Sequence, residues 1–97
     1  MANFVFSFRG PLNREPTAAE EAEWTQWFGE IGGSIGDFGH RVGRVAGLGS
    51  SEGEPQVLGG YIVVKADDFD AAVAMAQGCP GLRHGRGVEV GETIESS

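Results

Sequence analysis

Gly60-Tyr61-Ile62-Val63-Val64-Lys65-Ala66 is the stretch on which the fold turns. Its β-branched and aromatic content is that of a well-buried strand. Alternation sends Ile62 and Val64 to one face and Tyr61 and Val63 to the other, so both faces carry apolar groups. Downstream, Asp67 is expected to cap a helix, with Asp68 and Asp70 set against its positive end. Phe69, Ala72, Val73 and Ala76 form that helix's apolar stripe, and Gly78 followed by Pro80 ends it. Past a glycine-rich turn, Gly87 to Glu92 alternates Val88 and Val90 against Glu89 and Gly91, a last strand expected to run on toward Ile94.

Upstream, residues 50–57 read as a polar connector. The stretch from Ser34 to Gly49 is the least legible, because glycines at 36, 39, 43, 47 and 49 interrupt its apolar residues. A turn around Asp37-Phe38-Gly39 and a bent strand near 42–48 are predicted there. At the start of the chain Phe4, Phe6 and Phe8 alternate with Val5, Ser7 and Arg9, which predicts a strand over 3–9. Residues 10–16 then break regular structure. Thr17-Ala18-Ala19-Glu20 has the form of a capping box, and Trp24, Trp27, Phe28 and Ile31 fall on one stripe of the helix it opens. Glu20, Glu21, Glu23 and Gln26 leave the other face wet, and Gly32-Gly33 is expected to stop the helix in the left-handed conformation.

The order is β-α-β-β-α-β, an α+β chain of ferredoxin-like topology with both helices on one face of a four-stranded antiparallel sheet. The other face is then bare, although Tyr61, Val63 and Val5 point to it. A contiguous exposed apolar patch is unusual for a soluble monomer. A second copy packed face to face would cover it and form an α+β barrel around a small-molecule pocket.

A chain of 97 residues is a single domain, 1–97, and one this small buries only about 60% of the surface its unfolded form exposes. The formal charge of −7 argues against a nucleic-acid partner, since that affinity comes largely from Lys and Arg. The apolar run 3–8 is too short for a signal segment, and no stretch reaches membrane-spanning length. One cysteine, Cys79, excludes an internal disulfide, and a reducing cytoplasm is expected.

Leu58 to Val64, Ala66 to Ala72, Gly78-Cys79-Pro80-Gly81-Leu82 and Gly87-Val88-Glu89-Val90 resemble the C-terminal half of YCII-related (DGPF-domain) proteins. The first strand and the Trp24-x-x-Trp27-Phe28 helix are similar too. The resemblance implies the dimeric α+β barrel fold. It also implies, for some relatives, small-molecule enzymes using a histidine in the first helix and an aspartate before the proline that ends the second. In this chain the first helix contains no histidine, Cys79 precedes Pro80, and the Asp-Gly-Pro-Phe tetrapeptide is missing. The dyad chemistry therefore does not carry over.

Candidate chemistry must come from other residues. Cys79 at a helix C-terminus is disfavoured as a thiolate and reads as a small hydrophobe in a capping turn. His40 and His84 lie in glycine-rich loops beside Arg41 and beside Arg83 and Arg86, with no carboxylate at a spacing that orients either ring. A metal site would need Asp37 or Glu89 as a third ligand, and neither a metal nor any other cofactor is expected. Glu89 falls opposite Val88 and Val90, where partial desolvation would suit proton transfer or an ion pair with Arg9 would neutralise it. By the same parity Tyr61, Ser7 and Arg9 share its face, as ligand-binding residues beside a catalytic Glu89 or His40. The string 47–53 lacks the lysine and the strand-to-helix setting of a phosphate loop. Two functions are weighed: a homodimer binding a small molecule, with any catalysis a cofactor-independent proton transfer, and a non-catalytic interaction module. Some relatives are linked with transcription initiation, which the resemblance extends to the second.

Overall fold

Phe4, Phe6 and Phe8 place the core. In the computed structural model, which describes residues 2–12 and 15–94, they project from one side of β1 (Ala2–Pro11), and Phe4 and Phe6 have no exposed surface at all. β1 is the inner strand that pairs antiparallel with both β3 (Gln56–Ala66) and β4 (Gly87–Glu92), while β2 (Ile35–Arg41) lies outside β3. The sheet order β2-β3-β1-β4 is the ferredoxin-like one. Ile62 and Val64 on β3 meet Phe6 and Phe4 across the ladder and are buried with them. Removing such apolar groups from water stabilises the fold by about 1.5–3 kcal/mol per large side chain.

Both helices cover that same face. α1 (Ala18–Ile31) lays Trp27 against Phe6, ring centroids 6.3 Å apart, and Trp24 edge-on to Phe8 at 5.0 Å. α2 (Phe69–Ala76) buries Ala72 and Ala76 and tilts Phe69 against Phe4 at 6.2 Å, leaving the rest of that ring in solvent. The capping box forms as read: Thr17 Oγ1 accepts from the Glu20 amide at 3.2 Å, and the Thr17 amide donates to Glu20 Oε1 at 3.4 Å. This reciprocal bonding pulls Glu20 inward to 4 % exposure, so it does not belong to the wet face to which its position in the helix assigns it.

Local expectations fail where two neighbouring residues could do the same job. Asp68, not Asp67, caps α2, because its carboxylate accepts from the Ala71 amide at 2.8 Å while Asp67 lies one residue too early. Gly32 closes α1 with right-handed dihedrals and continues into a 3₁₀ turn, Gly32–Ser34, so no left-handed stop is made there. The largest departure is β2. It begins at Ile35 and ends at Arg41, and residues 42–48 hold no strand. The Asp37-Phe38-Gly39 turn is present but lies inside the strand: Asp37 Oδ1 accepts from the Gly39 amide at 2.8 Å, and the ladder jumps from Asp37↔Val63 to His40↔Tyr61. A bulge of this kind adds a residue to one strand and re-aims the side chains beyond it. β1 runs on through Pro11, and the rest of the expected break includes residues 13–14, which lie outside the described residues. Ile94 is fully exposed beyond the end of β4.

Candidate functional site

The antiparallel register settles which side chains share the open face. Residues directly opposite one another on paired strands point the same way. His40 stands opposite Tyr61, Tyr61 opposite Ser7, and Ser7 opposite Glu89, so one rung crosses all four strands on the side away from the helices. Arg9, two residues beyond Ser7, joins it and donates from Nε to Glu89 Oε1. The five residues singled out from the sequence are thus brought together on one face. His40 reaches its place through the bulge, with its ring centroid 6.2 Å from that of Tyr61. Gly39 makes the bulge possible: its φ is +59°, and a side chain there would run into the carbonyl of Tyr61.

Glu89 is committed to Arg9 in an ion pair that stands largely in solvent, with side-chain exposures of 62% and 42%. Of the two outcomes weighed for Glu89, charge pairing is the one formed. His40 makes no ion pair among the described residues and is the free imidazole of the face.

A cleft of about 940 Å³ opens where β1 ends and β3 begins. Arg9, His40 and Tyr61 line it from the open face, whereas Ser7 and Glu89 do not. Trp24 and Phe28 of α1, centroids 5.7 Å apart and both half-buried, line it from the helix side. The aromatic stripe therefore divides its work: Trp27 is sealed in the core, and its two neighbours also present ring surface to the cleft. Arg41 at the end of β2 and Arg44 on the loop that follows also line it, and Arg86 comes from the segment before β4. Sequence reading overlooks these arginines as a group. The signal is there in a chain with few cations, but their shared location depends on loop paths that no periodicity encodes.

His84, for which the sequence offers no carboxylate at an orienting spacing, meets one from α1. Its Nε2 lies 2.7 Å from Glu23 Oε2, and Arg83 approaches the same oxygen at 3.6 Å, tying the 3₁₀ segment Pro80–His84 to α1. The hydrogen bond from His84 holds the Glu23 carboxyl below its ordinary value, with the charges of His84 and Arg83 assisting against a smaller desolvation effect. Cys79 is 1 % exposed, and burial pushes its thiol up, which suits a core hydrophobe and not a nucleophile. Among the described residues no three of His, Cys, Asp and Glu come together as a metal site would require. No helix there is long and apolar enough to cross a membrane.

Comparison with family models, with curated proteins and with solved structures finds no match for this chain.

Proposed function

We propose that the chain is a YCII-related homodimer that binds a small organic molecule in the Arg9–His40–Tyr61 cleft, any catalysis there being a cofactor-independent proton transfer. One observation carries the reading: the rung His40–Tyr61–Ser7–Glu89 ends at a concave site that also has an aromatic wall. A mainly apolar cleft with a few convergent polar groups is the usual form of a small-molecule site. His40 is the group for proton transfer, because its imidazole lines the cleft and is not held by a carboxylate among the described residues. Glu89 acts by positioning Arg9 at the rim.

The second copy is supported by the composition of the open face. Half-buried Val5, Val63 and Tyr61 form its centre, with Arg9 and Lys65 among its cations and Glu89 and Asp37 among its anions. A two-fold contact sets each group of one sheet against a different group of the other, so a face holding both signs is self-complementary. The likeness of the Gly-Cys-Pro turn and the Val-Glu-Val strand to YCII-related proteins supports the same assembly.

Two-dimensional NMR of the indole and imidazole signals during a screen of small organic compounds tests the binding. Ligands that move Trp24 and His40 together, and lose affinity in His40→Ala, are expected. Ligands that move neither, or indifference to both His40→Ala and Glu89→Gln, would favour the interaction module instead.

A further inference from the structure

We infer that the cleft's ligand is an organic monocarboxylate with an aromatic or otherwise apolar body, its carboxylate held by Arg41 and Arg44. This rests on the small-molecule reading above and names the ligand class. The chain holds 7 Lys and Arg against 14 Asp and Glu. Yet Arg9, Arg41, Arg44 and Arg86 all line this one cleft, while Glu15 and Glu21 are its only carboxylates among the described residues. The local sign is the reverse of the molecule's. A protein of net charge −7 repels anions at long range, and a cationic concavity on it reverses that effect locally.

The four guanidiniums are not equivalent. Arg9 is engaged by Glu89. Arg41 and Arg44 flank Val42-Gly43 where β2 passes into the loop, are exposed, and make no ion pair or side-chain hydrogen bond among the described residues. A planar guanidinium matches a carboxylate through two parallel N–H donors. The half-buried rings of Trp24 and Phe28 supply a wall on which an apolar body stacks. A phosphate monoester fits less well, because its second negative charge would face Glu15 and Glu21 in the same cleft.

The test is a titration of the full chain with naphthoate, phenylbutyrate, their neutral amides and naphthyl phosphate, followed by the Trp24 indole signal. The carboxylates are expected to bind about tenfold tighter than their amides. That preference should vanish in Arg41→Gln/Arg44→Gln, a change at two exposed side chains whose effect on folding is checked by circular dichroism. Amides binding as well as acids, or the phosphate binding best, would overturn the ligand class and leave the small-molecule cleft standing. Silence of the Trp24 signal toward every probe would overturn both.

Discussion

Gly39 is the residue on which the site's geometry depends most. It takes a positive φ that an L side chain adopts only at a cost of about 1–2 kcal/mol, and a Cβ there meets the backbone of Tyr61. Gly39→Ala is expected to lower stability by more than that amount in thermal unfolding and to broaden the His40 signals, since the bulge that aims His40 must open. Arg9→Ala should behave oppositely: the pair with Glu89 is exposed, so its loss costs about 1 kcal/mol or less and leaves the unfolding curve nearly unchanged. Glu23 makes a pH prediction. Its carboxyl is held below the ordinary value of 4.5, so its ionised form is bound more strongly in the folded chain. The stability it contributes is fully present above that value and is lost as pH falls through the lowered one. The difference in melting temperature between the native chain and Glu23→Gln should therefore shrink on acidification below pH 4.5, as differential scanning fluorimetry would show.

At the scale of elements, legibility tracks the strength of local periodicity. β1 is readable because Phe4, Phe6 and Phe8 alternate without interruption, and α1 because a capping box and a four-residue apolar stripe agree on its start and face. β2 is not, since its ladder contains a bulge: Asp37 and Gly39 announce a turn, and only pairing with β3 keeps the chain extended on both sides of it. The rung of site residues is legible through parity alone for β1, β3 and β4. His40 stands out in the sequence as one of only two histidines, and its place on the rung comes from the bulge. The His84–Glu23 contact joins residues 61 apart in sequence, which no local pattern contains. Phe6→Ala tests the core that these elements share. Stacked on Trp27 and fully buried, Phe6 is worth about 3–5 kcal/mol, a large share of what a small domain holds, and urea unfolding should show the midpoint fall accordingly.

For the molecule as a whole, two helices cover one face of the sheet, and the rung His40–Tyr61–Ser7–Glu89 occupies the other. The cleft at the sheet's end takes lining from both sides. A second copy on the open face would shelter Val5, Val63 and Tyr61 and fix Arg9 and Tyr61 at the rim of the cleft, which links assembly to binding. Val63→Glu would place a charge at the centre of that contact without touching the buried face, so it should separate the copies and leave the protomer folded. The most direct measurement is the mass in solution by light scattering at micromolar concentration. A particle of twice the 10.2 kDa chain, reduced to one chain in Val63→Glu, is the predicted result; a single chain in the unaltered protein would contradict it.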